Sequence, residues 1–265
     1  MPAESARPCA LDFIKMQGSG NDFVLVDSRF LPPEDFASLS VQMCDRHRGI
    51  GADGLLVLDA PDGLRMQMWN PDGSLSEMCG NGLRCFARYA LDQGITEGDF
   101  PVETGAGRLR ARATDDHQIT INLGRITLGN LNTPLISGLD GTEVSVGNPH
   151  VVIFVPQVDL VELDWLGPQI ENLPRYPHRT NVHFAQVISE TEVKVAHWER
   201  GAGRTLACGT GMVATVAAGF ATGRLQSKVN VTVPGGRTVV SMEGDTAWLT
   251  GPVEYVFRGT WPMAS

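Results

Sequence analysis

The chain has 265 residues, of which 42% are hydrophobic and 19% charged, with a formal net charge of −9. That length allows two modest domains with real cores, whereas an acidic chain without long Lys/Arg runs is a poor ligand for nucleic acid. No apolar run approaches the ~20 residues that cross a bilayer, so the expectation is a cytoplasmic protein, bound to neither membrane nor nucleic acid, that acts on a small molecule.

Taken in chain order, the first landmark is "GNDFVLVD" from Gly20, a Gly-Asn turn running into an apolar strand. A short helix over "LPPEDFASLSVQMCDR", Pro32 to Arg46, is expected to cover the first sheet. "MCGNGLRCFAR" from Met78 then places a cysteine before a Gly-Asn-Gly turn, and the helix behind it is expected from about Gly82 to Gln93, stopping at Gly94. The glycine turn in "VETGAGRLRAR" joins two strands. The same order then recurs: "GNPHVVIFV" from Gly147, a covering helix over "LDWLGPQIENL", "LACGTGMVATVAAG" from Leu206, and "VTVPGGRTVVS". The second helix is expected from about Gly211 to Thr222, stopping at Gly223, and being small or apolar on every side it suits enclosure by a sheet.

Asn21 precedes Cys79 by 58 positions and Asn148 precedes Cys208 by 60. A period that long indicates two similar domains rather than a solenoid. The fold class is therefore α+β, two pseudo-symmetric domains each with a mostly antiparallel sheet around a central helix. The domain limits are 1–126, carrying Cys79, and 127–265, carrying Cys208, with the strand at 253–265 able to return to the first.

Five cysteines, Cys9, Cys44, Cys79, Cys85 and Cys208, are an odd number in a chain too large to need staples, so free thiols are expected. Cys9, Cys44 and Cys85 read as small buried hydrophobes. "CGNGLRC" lacks the ligand pairing of structural zinc sites, and "CDRH" at Cys44 has no matching pair, so no metal is expected. Neither glycine turn is a Cys-x-x-Cys redox motif.

Cys79 and Cys208 stand at helix N-termini, where unpaired N–H groups and the helix dipole attract anions and favour thiolate. The neighbouring glycines let a ligand reach those N–H groups. Two such cradles can hold one carboxylate with a sulfur on either side of its α-carbon. Inverting an amino-acid stereocentre needs such an acid and base on opposite faces, with the carbanion stabilised by preorganised N–H dipoles in a site closed to water.

At these residues the chain resembles the diaminopimelate epimerase family, through "MQGSGNDFVLVD", "RHRGIGADGLL", "WNPDGSLSEMCGNGLRC", "GNPH", "RTNV" and "WERGAGRTLACGTG". The resemblance spans nearly the whole chain. It implies two pseudo-symmetric α+β domains with the active site in the cleft between them, no cofactor, and conversion of LL-2,6-diaminopimelate to the meso form in lysine and peptidoglycan biosynthesis. It also implies that Cys79 and Cys208 are the two bases, and that Gly80, Asn81, Gly209 and Thr210 bind the reacting carboxylate. Asn21, Asn70, Asn148, Asn181, Glu199 and Arg200 match its other substrate contacts, and His150 and Glu199 match positions that tune the thiols. The family is expected to pair as homodimers. Two positions depart from its pattern: Gly54 stands where many members have a substrate-binding glutamine, and Arg204 puts a cation near the second cysteine turn. A racemase of proline, hydroxyproline or histidine on the same fold, and a thiol redox protein, are the alternatives.

Overall fold

The structure, a computed structural model, describes residues 10–30, 35–60, 63–114 and 118–263. Two compact units emerge, Met1–Ala113 with Val253–Ser265, and Thr114–Pro252.

In the first unit, β1 (Ala10–Gly18) and β2 (Asn21–Asp27) form an antiparallel hairpin. Ser19 and Gly20, at φ 55° and 83°, make the two-residue turn whose twist suits antiparallel strands. Pairing continues in one direction: β2 parallel to β3 (Gly54–Asp59), then β3 antiparallel to β4 (Arg65–Trp69). The two-residue β5 (Leu75–Ser76) lies on β4. β4 is parallel to β6 (Asp99–Thr104), and β6 antiparallel to β7 (Gly107–Ala113). The last strand of the chain, β19 (Glu254–Pro262), pairs with β1. Phe23–Val26 and Leu55–Leu58 are buried without alternation, the signature of strands covered on both faces. Val24, Val26, Leu55 and Val57 pack with Leu39 and Met43 of α1 (Phe36–Cys44). The opposite face receives α2 (Gly80–Asp92), which buries Leu83 and Phe86 completely.

The second unit repeats the series. The antiparallel pair β11 (Asp140–Ser145) and β12 (Pro149–Phe154) leads to parallel β13 (Asn181–Ser189), antiparallel β14 (Glu192–Glu199), parallel β16 (Lys228–Val233) and antiparallel β17 (Gly236–Glu243). The minor strands β9 (Thr127–Leu128) and β10 (Thr133–Pro134) pair with β11, and β15 (Gly203–Thr205) with β14. α3 (Leu163–Glu171) covers one face through Leu163 and Ile170. α4 (Gly209–Ala221) occupies the other, buried continuously from Gly211 to Gly219. Small side chains all round make that enclosure possible.

The structure moves the expected domain limit of 126. β8 (Ile119–Arg125) pairs with β18 (Thr246–Gly251) and closes the second unit, a contact reinforced by the Thr120 and Thr250 hydroxyls at 2.8 Å. Helices α2 and α4 also start two residues earlier than expected, because Cys79 and Cys208 are themselves the N-caps and the glycines behind them are helical. α1 starts at Phe36 on an Asp35 cap that accepts from Ser38 N–H at 3.2 Å; the expected start at Pro32 lies outside the described residues, as does Cys9.

Phe86 is 0% exposed between α2 and the first sheet. Phe86→Ala is therefore expected to cost about 3–5 kcal/mol of stability, measured by denaturant unfolding.

Candidate active site

Each cysteine adopts an extended N-cap backbone, φ −137° at Cys79 and −125° at Cys208, and neither makes the side-chain cap hydrogen bond that usually closes a helix start. A Ser or Asp at the same place would consume one of those first-turn N–H groups. A thiol is a weaker acceptor, so the first-turn N–H groups, even where the Gly211 N–H meets the Cys208 sulfur, can be drawn to an anion instead.

In the first unit, Asn81 is 2% exposed and donates from Nδ2 to Asn21 Oδ1, while Asn21 Nδ2 donates to Asp53 Oδ2 at 3.0 Å. A carboxylate only accepts, so Asp53 fixes the orientation of both amides in turn. Arg46 bonds to Asp53 and to both oxygens of Asp22 at 2.7–3.1 Å, and the Lys15 ammonium also reaches Asp22. Burial works to raise the Asp22 carboxyl, but Arg46 and Lys15 outweigh it and bring it down to about 2. Asn81 Oδ1 is left buried with no hydrogen-bond partner. Asn70 sits in the turn after β4 and donates to Ser74 Oγ at 2.9 Å. Behind the cradle, the wholly buried Arg84 braces the hairpin tip through Ser19 Oγ at 2.9 Å. Asp22, Arg46, Asp53 and Arg84 lie inside the motifs that carry the family resemblance, without a role assigned to them there, and Lys15 stands at an inward position of β1 just before the first of those motifs.

In the second unit, Cys208 is 5% exposed and its sulfur lies 3.7 Å from Thr210 Oγ1. Burial pushes its thiol well above the ordinary value, and the neighbouring Glu199 carboxylate adds to that. Glu199 is raised too, foremost by burial. Cys208 therefore rests as a thiol. Asn181 is engaged at both ends, donating to Pro149 O at 2.9 Å and accepting from Arg200 N–H at 3.0 Å, so it staples the start of β12 to the end of β14. The exposed Arg200 guanidinium donates to His178 O at 3.1 Å and meets no carboxylate among the described residues. Arg204 is instead paired with Asp164 at 2.8 and 3.0 Å on the surface.

Both ring nitrogens of His150 are occupied, Nε2 by Asn148 Oδ1 and Nδ1 by His183 Nε2, each at 2.8 Å. His183 Nδ1 continues to His197 Nδ1 at 2.8 Å. No motif pointed to these two further histidines. A Cβ at Gly211 would run into the His183 ring, so the glycine turn of α4 seats directly on this series. The structural thiols behave as expected: burial pushes Cys44 up to about 11 and Cys85 up to about 12. At Gly54 a Cβ would stand 3.0 Å from Met68 Cε and 3.1 Å from the Trp69 carbonyl, so a longer residue would need these neighbours to shift.

Burial holds His150 and His197 at about 3 and His183 well below 6.5. Unfolding lets all three return toward 6.5. The unfolded chain then binds more protons between those limits, so stability is full above about pH 6.5 and falls as pH drops toward 3. Each histidine contributes a slope of up to about 1.4 kcal/mol per pH unit. Urea unfolding between pH 7.5 and 5 is expected to show that loss, and His183→Gln to reduce its slope.

Residues 13–129 and 142–256 match the family model described as diaminopimelate epimerase. The diaminopimelate epimerase of Pelotomaculum thermopropionicum is 42% identical over 95% of this chain and 99% of its own. That of Moorella thermoacetica is 41% identical over 96% and 100%. Among solved structures, a hydroxyproline epimerase from Agrobacterium vitis superposes with a TM-score of 0.71 at 16% identity, over 97% of this chain and 92% of that one. A phenazine biosynthesis protein of the PhzF family from Enterococcus faecalis does so with 0.73 at 9%, over 96% and 100%. The solved structures share the fold, and the two sequence relatives match nearly the whole chain in sequence; this protein belongs to the diaminopimelate epimerase family of isomerases.

Proposed function

We propose that the protein inverts one stereocentre of LL-2,6-diaminopimelate to give the meso form, using Cys79 and Cys208 as the two proton-transfer groups. The observation that carries the reading is the duplicated N-cap cysteine, each standing in extended backbone at the start of a helix without a side-chain cap hydrogen bond. The thiolate of one cysteine takes the α-proton, breaking Cα–H and forming S–H. The thiol of the other gives its proton to the opposite face, and the roles are exchanged for the reverse reaction. Protons balance over the reaction, and the electron pair left on Cα is delocalised into the substrate's own carboxylate, which backbone N–H donors stabilise. Two thiols and aligned N–H dipoles supply base, acid and stabilisation, so the reading calls for neither pyridoxal phosphate nor a metal.

Burial and Glu199 push the Cys208 thiol up, which suits it to carry a proton. Asn81 and Thr210 stand at equivalent places in the two turns and contribute backbone N–H groups, with Gly80 and Gly209. At the far end of the substrate, Arg200 offers an exposed guanidinium with no carboxylate partner among the described residues, suited to the second carboxylate. Asn21, Asn70, Asn148 and Asn181 complete the proposed polar lining. No helix among the described residues is long and apolar enough to cross a membrane.

Proton NMR of LL-diaminopimelate in deuterated water with reduced enzyme is expected to show α-proton loss together with growth of the meso isomer. Absence of exchange by fully reduced protein would overturn the substrate assignment. Cys79→Ser and Cys208→Ser are each expected to lower the inversion rate by at least about a hundredfold; undiminished inversion in either variant rejects the two-thiol mechanism.

A further inference from the structure

His183 and His197 lie outside the proposed chemistry, yet both are 0% exposed and linked in series to His150 and Asn148. Each ring nitrogen in the series is directed at the next ring rather than at a shared point, so the trio is not a metal site. A neutral imidazole has one N–H and one lone pair, and three bonds in series must therefore all run the same way. In one direction, His197 Nδ1–H donates to His183 Nδ1, His183 Nε2–H to His150 Nδ1, and His150 Nε2–H to Asn148 Oδ1. The leftover atom is then a lone pair on His197 Nε2. In the other direction every bond reverses and a buried N–H is left over at that same nitrogen.

His197 Nε2 is indeed buried with no partner, and orphaned buried N–H donors are rarer than under-used acceptors. The first direction therefore wins. It agrees with the amide placement at the far end, where Asn148 Oδ1 faces His150. With its oxygen committed, Asn148 has only the Nδ2 donors left to offer.

We propose that His183 and His197 are positioning residues for the reaction, which hold His150 as its Nε2–H tautomer and so turn Asn148 to present N–H donors to a substrate carboxylate. The series also gives His183 its place beneath the α4 turn, where only glycine fits at position 211. One buried row of imidazoles thus sets both the seat of the second anion cradle and the hydrogen-bonding sense of a neighbouring amide. This inference rests on the proposed substrate only for the identity of the carboxylate.

Ring-nitrogen NMR on the reduced protein labelled with 15N-histidine tests it without substrate. The expected pattern is Nε2–H for His150 and His183 and Nδ1–H for His197; an Nδ1–H tautomer at His150 overturns the proposal. His197→Leu removes the terminal donor and is expected to raise KM for LL-diaminopimelate roughly tenfold, the scale of one hydrogen bond to a charged group, with kcat within about twofold. His197→Gln, whose amide can donate to His183 Nδ1, is expected to restore KM. An unchanged KM and an unchanged His150 tautomer in the leucine variant also overturn the proposal. If that variant fails to fold, the tautomers of the unaltered protein decide. The expected tautomers in a protein that does not turn over diaminopimelate support the series and overturn the substrate reading instead.

Discussion

A thiol is a weak hydrogen-bond acceptor, and placing one at a helix N-cap holds the first turn's N–H groups far more loosely than a hydroxyl or carboxylate would. Most of the architecture follows from keeping that arrangement intact twice. The two helices that carry it, α2 and α4, are enclosed by their sheets, so their N-termini are fixed by packing. Glycine makes room for the sheet beneath each turn: a Cβ at Gly82 would press on Leu56, and one at Gly211 would run into the His183 ring. The dipole of each helix then acts in a setting where little water competes with it.

The two units solve the problem of orienting amides by different means. In the first, a carboxylate at Asp53, tied to Arg46, dictates which end of Asn21 and then of Asn81 is free. In the second, the series of imidazoles performs the equivalent task for Asn148. A charged anchor suits a rim reached by solvent, where Arg46 is largely exposed. A neutral series suits a fully buried place, where an unpaired ion would cost far more. Repetition of the backbone has not brought repetition of the electrostatics.

The backbone repeat was legible in the sequence because Gly-Asn turns, cysteine-glycine turns and long apolar runs are local signals, each complete within a dozen residues. The starts of α2 and α4 lie two residues before the positions expected from sequence because glycine at the first helical positions normally reads as loop. The cysteine, Asn148 and Arg200 positions were found through motifs. His183 and His197 were not, since a histidine on an alternating strand such as "KVAHW" looks like any other inward residue until β12, β13 and β14 are set side by side. The same holds for Lys15 and Arg84, whose partners lie on different elements. The domain limit near 126 missed because nothing within "ITINLGR" reveals that it pairs with a strand more than a hundred residues later.

That the last strand, β19, pairs with β1 has a consequence for how the chain assembles. The second unit is one continuous segment and can complete its sheet as soon as residue 252 has been synthesised, whereas the first waits for the final strand. Until then β1 shows a bare edge of unpaired N–H and C=O groups, the kind of surface on which nascent chains stick to one another. The half of the molecule that is made first is the half that finishes last.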